Sequence, residues 1–202
     1  GQKYWYMDED KTICCGKPLL EQGFFNQAKE LRRKNTNLIN QSKARMLITS
    51  CPICYQTFKN DYTLPIEVLH HSEYIDRMIK SGKLKVNKSD LKVVYHDPCQ
   101  LGRSCGIYKE PRRVLKAVSK LVKPKSEKKK SICCGYNLGN MVIESDQQEK
   151  IRNASMNNLL YKDPQLIATA CPMCKKAFTH SNKFPVLDIA EIVAQNITHK
   201  KP

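Results

Sequence analysis

Short apolar runs alternate with longer amphipathic stretches along this chain. "RMLITS" (45–50) and "QLIATA" (165–170) are compact, β-prone runs, and each ends at a Cys-x-x-Cys motif. Polar, helix-compatible segments follow, "YQTFKND" and "KKAFTHS", and Pro52 and Pro172 fall where the first turn of a helix accepts proline. Each motif is therefore predicted at a strand-to-helix turn. "IEVLH" and "FPVLD" read as strands, followed by helices near 71–81 and 188–198. "LKVVYHDPC" reads as a strand ending at Cys99, and "EPRRVLKAVSKLV" (110–122) as a helix. Helical stretches are predicted over roughly 22–41 and 144–160. Alternating strands and helices predict an α/β fold built on mostly parallel sheets. In such sheets ligands gather at the carboxyl ends of the strands, which is where the cysteines fall.

The pattern occurs twice. A Cys-Cys-Gly triplet stands at 14–16 and again at 133–135, and "CPIC" (51–54) is answered by "CPMC" (171–174). Cys15 and Cys51 are 36 residues apart, and Cys134 and Cys171 are 37 apart. The flanks match too: "MLITSCPICYQTF" answers "LIATACPMCKKAF", and "LPIEVLHHSEYI" answers "FPVLDIAEIV". Two copies of one unit are the simplest account. The first is expected over 1–88 and the second over 89–202.

Ten cysteines in 202 residues change the picture most. Disulfide frameworks suit short, secreted, loop-rich chains, whereas CC and CxxC spacings in a regular α/β chain point to metal. A spacing of three at a helix start puts both sulfurs on one side, where the positive helix end favours thiolate. The second unit supplies Cys99, Cys133, Cys134, Cys171 and Cys174, one more thiol than a tetrahedral zinc site uses. Soft thiolates in that number suit iron–sulfur chemistry better. Adjacent cysteines at a tight turn can reach two irons of one large cluster, and the glycine lets the turn close.

Charge and hydropathy exclude more than they select. Lys and Arg total 35 against 19 acidic residues, a net +16, with a dense run at "KPKSEKKK" (123–130). That run reads as an exposed connection. Aromatic interleaving and known nucleic-acid modules are missing around it, so no nucleic-acid role is expected. The longest apolar runs fall far short of the ~20 residues of a membrane span. "GQKYWYMDED" lacks the basic start and apolar core of a signal peptide. A cytoplasmic location is expected, with peripheral attachment to the inner face of a membrane only through partners.

"YHDPCQLGR", "GIYKEPRRVLKAV", the two CCG motifs and the two CPxC motifs resemble the CCG-domain cysteine-rich family, over nearly the whole chain. That family includes the B subunit of heterodisulfide reductase. It also includes the iron–sulfur subunits of glycolate oxidase, anaerobic glycerol-3-phosphate dehydrogenase and lactate-utilisation complexes. The resemblance implies Rossmann-like units, each able to hold a noncubane 4Fe-4S cluster. It also implies a flavoprotein dehydrogenase as partner, and electron transfer towards a disulfide, a quinone or another acceptor. Carried over by position, Cys99 is the lone cysteine, Cys133 and Cys134 the pair, and Cys171 and Cys174 the CxxC. The first unit has Cys14, Cys15, Cys51 and Cys54, but its lone cysteine would fall about 20 residues before residue 1. The chain is therefore expected to be the C-terminal part of a longer subunit, with a ferredoxin-like domain upstream. The first unit would hold either a 4Fe-4S cluster or zinc.

Two further departures from the family pattern stand out. The glycine-rich tail after the second CCG is reduced to "YNLGN", with Gly139. Cys105 is an extra cysteine, expected as a small buried residue. His96 has two readings, fixing its loop or hydrogen-bonding to a cluster sulfur. His70 aligns with Asp188, a mismatch that argues for structural roles for His70 and His71. Two other functions remain open. A zinc-stabilised interaction module would make the basic surface the working part. A thioredoxin-like dithiol enzyme has the local strand–CPxC–helix pattern but leaves the CC pairs unexplained.

Overall fold

The computed structural model describes residues 3–7, 14–136, 143–181 and 184–198. Gly139 and its segment lie outside them. The chain is α/β, with two sheets, as the alternating pattern requires.

The described residues divide into two units, 3–49 with 53–69, and 50–52 with 70–198. The first contains α1 (Lys17–Glu21), α2 (Phe25–Gln41) and β1 (Met46–Thr49), and most of α3 (Pro52–Asn60) and β2 (Glu67–His70). β1 and β2 form a two-stranded sheet. Its core joins Ile39 of α2 and Phe58 of α3 to Tyr62 and Cys15, with Leu47, Leu64, Ile66 and Val68 packed against them.

The second unit runs through α4 (His71–Lys80), β3 (Lys92–Tyr95), a π-helical turn (Gln100–Ser104), α5 (Lys109–Val118) and β4 (Lys120–Val122). It continues with α6 (Ser145–Leu159), β5 (Leu166–Thr169), α7 (Pro172–Ser181), β6 (Val186–Asp188) and α8 (Ile189–Gln195). Its four strands pair in the order β4-β3-β5-β6, all parallel. All four residues of β5 are buried, as a central strand of a parallel sheet covered on both faces should be. Val94, Ile167 and Val186 stand side by side in register. They pack with Met156 and Leu159 of α6 and Ala177 and Phe178 of α7. Helices α4, α5 and α8 pack on one another. Arg112 of α5 lies over the ring of Tyr95, which alternation turns to the face opposite Val94.

Two predicted helices end early. The helix expected over 110–122 stops at Val118, and Lys120–Val122 is the edge strand β4. Ser119 is the cause: its backbone is extended, at φ −154°, and its hydroxyl donates to Leu115 O at 2.8 Å. The chain then pairs with β3 in register. The helix expected over 188–198 is shorter, ending at Gln195.

Candidate metal centre

The loops that follow strands deliver the cysteines of the second unit. β3 ends at Tyr95, and His96-Asp97-Pro98 leads into Cys99. β5 ends at Thr169, and Ala170 leads into Cys171, immediately before α7 opens on Pro172. Cys174 lies one turn further on the same helix and is buried. Cys133 and Cys134 come from the connection between β4 and α6.

These five sulfurs form one connected group. Cys133 accepts hydrogen bonds from Cys134 and Cys99, and Cys174 links to both Cys134 and Cys171. The crowding splits their acidity. The hydrogen bonds from Cys134 and Cys99 hold the Cys133 thiol far below its ordinary range, helped by the Gly135 N–H at 3.4 Å. Cys99 and Cys134 are pushed up, first by hydrogen-bonding to Cys133 and then by burial in the case of Cys99. Cys174 is raised by its bonds to Cys134 and Cys171. A site that gathers five thiols and favours thiolate on one of them is suited to bind a thiophilic metal.

Gly135 closes the turn behind the pair. Its φ is +77°, and a Cβ there would sit 2.8 Å from Gln148 O in α6. The glycine therefore both permits the left-handed turn and lets α6 approach the pair.

Asp97, buried at 3% exposed, ties the two cysteine loops together. It accepts two 2.7 Å hydrogen bonds from Arg112, and its Oδ2 also accepts from Lys128 N–H at 2.8 Å. The Ser131 hydroxyl donates to Asp97 O at 3.3 Å. So the segment that leads into Cys133 hangs on the residue two before Cys99. Exposed Lys128, Lys129 and Lys130 belong to that same segment.

His96 is buried, and burial pushes its imidazole down to about 4. Its ring meets Phe178 edge-on, with centroids 4.8 Å apart. A ring nitrogen lies within 4.8 Å of the sulfurs of Cys134 and Cys174. Among the described residues its Nε2 has no hydrogen-bond partner, and neither does the buried Thr169 Oγ1. An unmet buried polar group costs about 1–3 kcal/mol, which argues for an occupant. Five sulfurs are also more than one tetrahedral zinc uses. The residues present thus fit an iron–sulfur cluster at Cys99, Cys133, Cys134, Cys171 and Cys174.

In the first unit, Cys15 is hydrogen-bonded to Cys54 and Cys14, and its thiol is lowered to about 6, first by Cys54 and against burial. Gly16 N–H points at Cys14 Sγ at 3.4 Å, matching Gly135 and Cys133. A polar strut holds this pair. Buried Asn35 of α2 donates to Cys14 O at 3.0 Å and to Tyr62 Oη at 2.9 Å, and Tyr62 donates to Cys15 O at 3.0 Å. Three thiols of this unit are thus gathered; Cys51, half-buried at the turn into α3, falls outside it. Cys105 is half-buried at the end of the π-helical turn, more exposed than its expected place.

Asn35, Tyr62 and Arg112 were not found from the sequence. A buried asparagine inside an amphipathic helix is a signal for the first of them; the Arg112–Asp97 pairing spans 15 residues and leaves no local trace.

The cysteine-rich domain family called CCG matches residues 4–59 and 93–179. The EtfAB:quinone oxidoreductase of Syntrophomonas wolfei is 30% identical, over 96% of this chain and 30% of that protein. One of the subunits of the dihydromethanophenazine:CoB–CoM heterodisulfide reductase of Methanosarcina acetivorans is 32% identical, over 87% of this chain and 46% of that protein. The probable iron-sulfur-binding oxidoreductase FadF of Bacillus subtilis is 30% identical, over 83% of this chain and 26% of that protein. This chain therefore spans half or less of the length of these relatives. Among the described residues, no helix is long and apolar enough to cross a membrane.

Proposed function

The chain belongs to the CCG cysteine-rich domain family, and from that premise we propose that it is the iron–sulfur part of an oxidoreductase. Its second unit holds a 4Fe-4S cluster at Cys99, Cys133, Cys134, Cys171 and Cys174, of the noncubane type. The observation that carries this reading is the unbroken run of hydrogen-bonded sulfurs from Cys99 through Cys133, Cys134 and Cys174 to Cys171. When bound, such a cluster supplies one-electron chemistry at low potential.

The protein's own part is to place and shield that group. Asp97 and Arg112 set the spacing of the Cys99 and Cys133 loops. The N–H groups of Gly135 and Gly16 point at sulfur and favour negative charge there. Phe178 and the buried β3 and β5 ends keep water from the sulfurs on the inner side. A flavoprotein dehydrogenase or another redox subunit would give or take the electrons, with a disulfide or a quinone at the far end. The names of the relatives, a quinone oxidoreductase and a heterodisulfide reductase subunit, support that range of acceptors. The first cysteine-bearing half of the sequence, 1–88, would hold a second cluster or zinc through Cys14, Cys15, Cys51 and Cys54. The two cysteine-bearing halves, 1–88 and 89–202, would be copies of one ancestral domain.

Anaerobic reconstitution with iron and sulfide, followed by iron and acid-labile sulfide analysis and EPR, tests the reading. A cluster signal at about four irons per second unit is expected. Folded protein that takes up neither element overturns it, and one or two zinc ions per chain in their place would select the interaction module instead.

A further inference from the structure

His96 differs from an ordinary core histidine in one respect. A core imidazole normally gives its N–H to a carbonyl or hydroxyl, yet among the described residues Nε2 of His96 has no hydrogen-bond partner at 2% exposure. Its backbone N–H is held by Ala168 O at 2.8 Å, and Phe178 stands edge-on against the ring. What the ring does face is sulfur. A ring nitrogen, Cys134 Sγ and Cys174 Sγ lie within 4.8 Å of one another, and all three residues are buried.

That spacing fits three donors around one metal ion. Metal bonds of about 2.0–2.3 Å to nitrogen and sulfur would need only a small contraction to close. The three donors come from three different segments, the β3 loop, the CCG turn and α7, so they surround a point and do not line an edge.

We propose that the metal centre of the second unit takes His96 as a nitrogen ligand beside Cys134 and Cys174. The proposal rests on the reading of a metal-bearing second unit and adds a nitrogen donor to its five thiols. A neutral imidazole brings no negative charge where a thiolate would bring one, so the group His96 binds has a higher reduction potential than it would with a cysteine in that place.

The test uses the full chain, reconstituted anaerobically with iron and sulfide and grown with either ¹⁴N- or ¹⁵N-histidine. Pulsed EPR on the paramagnetic state is expected to show one histidine nitrogen coupled at the strength of a directly bound imidazole. His96→Cys, which puts a thiolate in the same place, should keep iron and sulfide, lose the nitrogen coupling and lower the midpoint potential. A second measurement works without a cluster: the zinc affinity of the apoprotein, by chelator competition, should fall at least tenfold in His96→Leu at unchanged circular dichroism. Full iron and sulfide with no nitrogen coupling, or a coupling that survives in His96→Cys, overturns the ligand and leaves the cluster reading standing. An unchanged zinc affinity in His96→Leu likewise counts against the ligand. Wild-type protein that binds neither iron nor sulfide overturns the cluster reading itself.

Discussion

Arg112 grips Asp97 through two parallel 2.7 Å hydrogen bonds, Nη1 to Oδ1 and Nη2 to Oδ2. Both side chains are largely buried, 12% and 2% exposed. The fork also spans structure: α5 supplies the guanidinium, the Cys99 loop the carboxylate, and Lys128 N–H, on the way to Cys133, a third bond to that carboxylate. Removing one partner of a buried pair strands the other charge, at about 3–5 kcal/mol. Arg112→Met should therefore lower unfolding free energy by roughly that amount in urea titrations of the apoprotein. Because Asp97 joins the Cys99 loop to the segment leading into Cys133, the same variant should also bind less iron on reconstitution. Loss of stability with full iron uptake would show that the fork holds the fold and not the site.

The sulfur network sorts the ten cysteines. Serine at Cys133, Cys134 or Cys174 removes a member that at least one other thiol bonds to, and each change should abolish or halve cluster iron. Cys105→Ser should leave iron and sulfide content unchanged, since Cys105 sits at the end of the π-helical turn and outside the five-thiol run. Iron and sulfide analysis on the purified variants checks both. Equal loss in Cys105→Ser would bring that residue into the ligand set.

The two CCG turns look alike in sequence but differ in how tightly they are packed. Gly16 has φ +89°, and a Cβ there would meet nothing nearer than 3.7 Å. Gly16→Ala should cost about 1–2 kcal/mol, the strain of a left-handed alanine alone. Gly135→Ala meets Gln148 O at 2.8 Å on top of the same strain. Backbone must move, so its cost should exceed that of Gly16→Ala. Paired urea titrations give the comparison, and equal costs would mean that α6 yields freely.

Much of this architecture could be read from the chain because local signals carried it. The β5–CPMC–α7 unit has a short apolar run, a proline at the first helical position and a repeated copy. β4 was lost inside a predicted helix because "KLV" is three residues long and no proline or glycine separates it from α5. The cysteines proposed as ligands follow from spacing, whereas the residues that hold their loops do not. Asn35 with Tyr62, and Asp97 with Arg112, pair across 27 and 15 residues and obey no period. The mismatch of His70 with Asp188 has a plain physical reason. Both residues cap helices, α4 and α8, and each has a glutamate three residues on, Glu73 and Glu191, completing a capping box. Imidazole and carboxylate can each accept the cap hydrogen bond, so the role survives the exchange of residue.

His70 brings a pH dependence of its own. Its Nδ1 accepts from Ser72 N–H at 3.4 Å, which leaves Nε2–H to donate to Ser50 O at 3.2 Å. The ring must be neutral to do both. Burial, with His71 beside it, pushes its pKa down to about 3, from an ordinary value of 6.5. Above pH 6.5 the ring is neutral folded and unfolded, and the stabilisation is complete. As pH falls below 6.5 the unfolded chain takes up a proton that the folded chain refuses, so stability declines towards pH 3. The slope for one proton is about 1.4 kcal/mol per pH unit. Between pH 6.5 and 5, His70 alone should remove roughly 2 kcal/mol. His96, lowered to about 4 by burial, adds a second slope in the apoprotein over the same range. His70→Asn keeps a cap acceptor but does not titrate, so it should flatten the pH dependence by about one proton without abolishing it. Urea unfolding of the apoprotein at steps from pH 5 to 7.5 measures this directly. An unchanged slope in His70→Asn would show that His70 takes up its proton equally in the folded and unfolded chain and is not held neutral by the fold.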